Sequence, residues 1–156
     1  NMVWAFAKAG VSAPRLFDAA AVESVNKIQA FWPQALANTA WAFVKAKVGA
    51  RPLLDAIALQ SIRRMPDFNP QELSNLTWAL AAANVEAPEL FAAVSVEAQM
   101  KMMSFEGHAL GNVAWAFAKA GVVDGKLLEK VALEVPLKAH SCNSQALANI
   151  VWAFAK

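Results

Sequence analysis

The chain reads as an all-α protein, an α-solenoid of 37-residue helix-turn-helix repeats, and three observations predict it. Trp4, Trp41, Trp78, Trp115 and Trp152 stand 37 residues apart, and Asn1, Asn38, Asn75, Asn112 and Asn149 keep the same interval three residues upstream. Within each interval the apolar residues recur at helical spacing instead of alternating as in a strand. Each interval also repeats helix start and stop residues at fixed offsets. A period of this size marks an array in which each unit covers the apolar face of the next.

The elements of one unit follow in order. Pro33 and Pro70 suit the first position of a first helix, and Asn69 and Asn143 are good caps just before it. Glu72 stands three residues after Asn69 in capping-box spacing. The helix should run about 13 residues, to near Ala46 or Ala120, with Gly10, Lys47, Asn84 and Gly121 at the stop position. After a short turn, Pro14, Pro88 or the pair Asp124 and Gly125 open a second helix such as residues 14–30. Its apolar positions Leu16, Phe17, Ala20, Val25 and Ile28 keep the helical period. Residues 1–156 form a single array with complete units at about 31–67, 68–104 and 105–141 and partial units at 1–30 and 142–156. Because it opens and closes inside the same motif, the sequence is expected to be a piece of a longer array.

Apolar residues make up 58% of the chain, yet the charge-free run at 28–44 contains Pro33, Gln34 and Asn38, which argues for buried helices and against a membrane span. Cys142 takes the slot held by Phe31, Phe68 and Phe105, so it is expected as a small core residue, and a single cysteine allows no disulfide framework. A net charge of +2 does not announce a nucleic-acid binder, so any electrostatic case rests on placement.

A helical wheel separates the faces of the first helix. Leu36 and Phe43, with Thr39, Leu76, Val113 and Ile150 beside them, face the second helix. Ala35, Ala37, Ala42 and Val44 lie on two flanks whose counterparts are mostly Ala, Ser or Gly, small enough for neighbouring first helices to approach closely. The remaining face carries Gln34, Asn38, Trp41 and Lys45, and it recurs as Gln71, Asn75 and Trp78, as His108, Asn112, Trp115 and Lys119, and as Gln145, Asn149, Trp152 and Lys156. Stacked units would line one inner surface with these residues.

A residue identical in every unit cannot distinguish one base from another, so Asn38, Asn75, Asn112, Asn149, Trp41, Trp78, Trp115 and Trp152 are read as a structural ladder. Lys27, Arg64, Lys101 and Lys138 form a second series, with Glu23, Gln60, Glu97 and Glu134 four residues before them. These are expected as solvated pairs on an outer face. Lys8, Lys45, Lys119 and Lys156 have tryptophan, not an acid, at that offset. They either complement the helix C-terminal dipole or contact RNA phosphates, with Ala82 as a gap in the series. Base contacts belong where units differ, at Gln34, Gln71, His108 and Gln145, at Glu72 where other units have Ala35, Ala109 and Ala146, and at Trp32 in a capping slot. His108 and His140 have no ligand set around them, so no metal is expected. No nucleophile with a base, paired-carboxylate pocket or glycine-rich phosphate loop is present, so neither a cofactor nor catalysis is expected.

The motif Phe-x-Pro-Gln-x-Leu-x-Asn-x-x-Trp-Ala-Phe-Ala-Lys resembles that of the heptatricopeptide and octotricopeptide repeat proteins, whose relatives carry RAP and FAST kinase-like domains. The 37-residue period is closer to the heptatricopeptide unit. His108 for Gln, Cys142 for Phe and Ala82 for Lys depart from the pattern. The resemblance implies an α-solenoid that binds organellar mRNA or rRNA in a chloroplast or mitochondrion, acting in transcript stability, processing, translation or ribosome assembly. The leading expectation is thus a non-catalytic single-stranded RNA binder with no membrane partner. The alternative is a protein-interaction scaffold or structural subunit of an organellar ribosome or another large complex.

Overall fold

The computed structural model describes residues 2–156, and every regular element among them is helical. The first helices of the units are α1 (Met2–Ala9), α3 (Pro33–Lys45), α5 (Pro70–Ala82), α7 (Gly107–Ala120) and α9 (Ser144–Ala155). Between them lie the second helices α2 (Pro14–Asn26), α4 (Arg51–Arg63), α6 (Pro88–Met100) and α8 (Gly125–Lys138). Asn1, the first of the asparagine series, lies outside the described residues. No described helix is long and apolar enough to cross a membrane.

Local chemistry sets the helix ends. Pro33 and Pro70 open α3 and α5, where a missing N–H removes no helical bond. Asn69 Oδ1 accepts from the Glu72 N–H and the Glu72 carboxylate accepts from the Asn69 N–H, each at 2.9 Å, which closes the expected capping box. Asn143 Oδ1 accepts from the Ala146 N–H at 2.8 Å. At the other end Gly10, Lys47, Asn84 and Gly121 all take left-handed φ, at 68°, 56°, 51° and 71°. The next residue is always valine, and its N–H reaches back to Phe6, Phe43, Leu80 or Phe117 at 2.9–3.1 Å. This closure satisfies carbonyls that the helix end leaves open. Lys47 adopts the turn without glycine and bears the steric strain of a side chain in that region.

The second helices stop earlier than the run at 14–30 suggests. α2 ends at Asn26, and residues Ile28–Ala30 tighten into a 3₁₀ turn, as do Met65–Asp67, Met102–Ser104 and Ala139–Ser141. The chain has to become extended before the next first helix begins. Phe31, Phe68, Phe105 and Cys142 accordingly have ψ between 126° and 133°. Steric exclusion before proline reinforces this at Trp32 and Asn69.

The first helices pack in series, α1 on α3, α3 on α5, α5 on α7 and α7 on α9, and the second helices form their own row with looser contact. Small residues make the first row close. Ala37, Ala42, Ala79, Ala81, Ala109 and Ala116 are buried on the flanks, and a Cβ added to Gly111 would lie 2.8 Å from the Ala146 carbonyl oxygen. Phenylalanines join the rows. Phe17 of α2 meets Phe43 of α3 edge-on at 5.1 Å, and Phe91 of α6 meets Phe117 of α7 in the same way. Cys142 departs from the core role expected of it: it is half-buried against Gly107, whereas Phe68 and Phe105 in the same slot are fully buried. Gly107 itself replaces the proline of the earlier units, since any side chain there would strike the Cys142 sulfur.

The series Lys27, Arg64, Lys101 and Lys138 keeps the expected pairing, with Lys101 on Glu97 at 2.7 Å and Lys138 on Glu134 at 3.1 Å, but departs from the solvated outer-face reading. Lys27 and Glu23 do form an exposed pair at 2.6 Å. Arg64, however, donates to the Phe31 carbonyl at 3.1 Å, Lys101 to the Phe68 carbonyl at 2.6 Å, and Lys138 to the Phe105 carbonyl at 2.7 Å. Each cation reaches 33 residues back and ties the end of its second helix to the extended link that opens the same unit. Lys101 also donates to Pro66 and pairs with Glu97, which is buried behind it at 2.7 Å. Gln60 bonds the Gln29 carbonyl, not Arg64. A further junction joins α6 to α8, where the Ser95 hydroxyl donates to the Asp124 carboxylate while Asp124 caps α8 through the Leu127 N–H at 3.0 Å.

Two outcomes test these junctions. Lys101→Met strips the Glu97 carboxylate and two carbonyls of their donor, and chemical denaturation should show a loss of roughly 2–3 kcal/mol; a loss confined to experimental error would show the link to be incidental. The Ser95 hydroxyl and the Leu127 N–H hold the Asp124 carboxyl below its ordinary value. Their stabilisation is therefore complete above the unfolded-state value near 4 and is lost as pH falls through the lower folded-state value. Asp124→Ala should destabilise by about 1 kcal/mol at pH 7, with the gap to the parent narrowing in acid denaturation below about pH 4.

Candidate nucleic-acid interface

Helical periodicity brings the face carried by Gln34, Asn38, Trp41 and Lys45 to one side of the row of first helices. Within it the indoles stack on one another. Ring centroids lie 6.3 Å apart for Trp4 and Trp41, and 6.2 Å apart for both Trp78 and Trp115 and for Trp115 and Trp152, with tilts of 31° to 40°. Trp41, Trp78 and Trp115 are half-buried and packed against the core, and Trp152 is 40% exposed. The asparagines below them are half-buried too, and Asn149 Nδ2 stands 3.5 Å from Asn112 Oδ1, the outer limit of a hydrogen bond.

The variable positions fall into three situations. Gln71 donates to Asn75 Oδ1 at 2.9 Å, and its own carbonyl bonds the His108 ring, which links α5 to α7. Glu72 is half-buried and committed to the Asn69 cap, so its carboxylate is a poor candidate for a base edge. Gln34 and Gln145 are exposed. Trp32 is 69% exposed, but the Arg64 guanidinium covers one ring face at 4.4 Å, a contact that a separation of 32 residues did not signal.

The lysines are likewise inequivalent. Lys8 sits over the Trp4 ring at 4.6 Å and Lys156 over Trp152 at 5.7 Å. Lys45 and Lys119 are exposed and form no ion pair among the described residues.

Four successive first helices contribute to one cleft of about 330 Å³. Trp41 and Lys45 come from α3, Asn75 and Trp78 from α5, His108 and Asn112 from α7, and Asn143 and Gln145 from the start of α9. The lining offers amides, indole faces, an imidazole and an ammonium, and it contains no carboxylate. Such a surface can stack planar rings, bond their edges and attract an anionic backbone. Among the described residues no three of His, Cys, Asp and Glu come together as a metal would require.

Over residues 1–156 the sequence matches the family model of the RNA-editing substrate-binding complex 6 protein, RESC6. The chain belongs to this family. No curated protein matches it. Membership in RESC6 supports an RNA-associated helical protein and does not reach the finer resemblance to the heptatricopeptide or octotricopeptide group. It gives no support to a chloroplast or a ribosomal setting.

Sequence reasoning placed the shared face of the RESC6 chain but missed two features of it. Bonds from the Arg64, Lys101 and Lys138 head groups to carbonyls 33 residues away have no side-chain partner to mark them in the sequence. The stacking of indoles on indoles was not anticipated either, although the constant 37-residue spacing carried that signal. Trp115, held between Trp78 and Trp152, should be the tryptophan on which stability depends most. Trp115→Ala should lose about 2–3 kcal/mol in thermal or urea unfolding, below the range for a fully buried ring, and Trp115→Phe should recover part of it.

Proposed function

We propose that this RESC6 chain is a non-catalytic α-solenoid that binds single-stranded RNA along the inner face of its first helices. The observation that carries the reading is the carboxylate-free cleft, lined from four units, with the unpaired Lys45 at its side. Lys45 and Lys119 attract the phosphates, and the half-buried indoles and amides give planar bases a surface to rest on. Sequence preference comes from positions that differ between units, above all His108, Gln34 and Gln145. The family description places RESC6 proteins with an editing substrate-binding complex. We accordingly favour editing of mitochondrial transcripts as the setting.

A protein partner is the second reading, and a separate observation favours it. Val22, Leu59, Val96 and Leu133 recur every 37 residues on the second helices and are 59% to 67% exposed. An apolar series of this kind, away from the proposed RNA face, suits attachment to other members of the complex. The two readings use different faces and are compatible.

Fluorescence titration of labelled single-stranded RNA over a range of salt tests the first reading. Replacing both Lys45 and Lys119 by alanine should weaken binding to all sequences and reduce the magnitude of the salt slope by about 0.7 for each phosphate that is no longer neutralised. His108→Gln should instead change which sequence is preferred. Absence of salt-dependent binding by the parent chain would leave only the scaffold role.

A further inference from the structure

The indole series is interrupted once. Trp4 contacts Trp41, and Trp78, Trp115 and Trp152 form a continuous run, but the Trp41 and Trp78 rings make no such contact and both line the cleft. The sequence exceptions gather at the same junction. The contact at Gly111 and Ala146 identifies which flanks meet, so residues 37 and 44 of α3 face residues 72 and 79 of α5. Val44 stands where the other units have Ala7, Ala81 and Ala118, and Glu72 where they have Ala35, Ala109 and Ala146. Both are partly buried. Two larger side chains therefore stand at a seam that is otherwise lined by Ala, Ser and Gly, and side-chain bulk at such a seam sets the distance between helix axes. Lys45 lines the cleft, and Ala82 stands where the neighbouring units carry lysine.

We propose that this junction is a slot for one unpaired nucleobase, stacked on Trp41 or Trp78, with the adjoining phosphate on the Lys45 ammonium. The proposal rests on the single-stranded RNA reading and adds to it a fixed register: one base is held at this junction, and the other indoles, already stacked on each other, serve the fold. A duplex cannot use the slot, because its bases are paired and stacked within the helix.

The test combines tryptophan fluorescence quenching with salt-dependent titration of single-stranded RNA. Trp78→Leu should weaken binding roughly 5- to 150-fold, the range for loss of one base-aromatic stack, with the salt slope unchanged. Val44→Ala removes no group from the ligand, yet by letting the two helices close it should change the tryptophan emission and weaken binding with an unchanged slope. Should Trp78→Leu lose helical content by circular dichroism, Val44→Ala decides alone. Parent-like affinity and slope in Val44→Ala, or equal binding of duplex RNA by the parent, would overturn the slot while leaving the RNA reading standing. A parent chain with no salt-dependent binding would overturn both.

Discussion

Close approach of successive first helices is the constraint on which the rest of this structure depends. Helices with large flanks are held apart by their side chains, whereas those with alanine, serine or glycine can bring their backbones together. Gly111 against Ala146 is one such approach, with no room for even one more carbon. Once the flanks meet, the outward residues of each helix fall into register with those of the next. At three of the four junctions the indoles then stand 6.2–6.3 Å apart and stack.

That approach is secured from behind by polar contacts. The 3₁₀ turns and extended links between units leave carbonyls that no helix satisfies, and a cation at the end of the next second helix supplies the donor. A buried carbonyl without a partner is destabilising. Each such lysine or arginine thus closes its own unit, and Lys101 and Lys138 also fasten the previous one through the Pro66, Met102 and Met103 carbonyls. Edge-on phenylalanine pairs do the apolar equivalent between the two rows.

The division of labour on the inner face follows from this architecture. Residues that repeat in every unit maintain the stack, because the same junction recurs and requires the same chemistry. Residues that break the repeat mark places where the surface differs locally, and Val44, Glu72, Ala82 and His108 are of this kind.

The sequence by itself determined the helices, the limits of the first helices and the face each of these presents. Caps, left-handed stop positions and a 3.6-residue period act within a few residues, so Asn69, Gly121 and the Trp41 face were all legible from local chemistry. Tertiary structure alone decided how far each repeated residue is used. Arg64 and Lys101 occupy the same slot, yet Arg64 covers the Trp32 ring while Lys101 pairs with the buried Glu97. Glu72 reads as a variable contact position but is taken by a cap, and Cys142 reads as core but sits half-open against Gly107. Contacts across 30 or more residues depend on the distance between helix axes, and that distance is set by packing volumes, which no single position in the sequence displays.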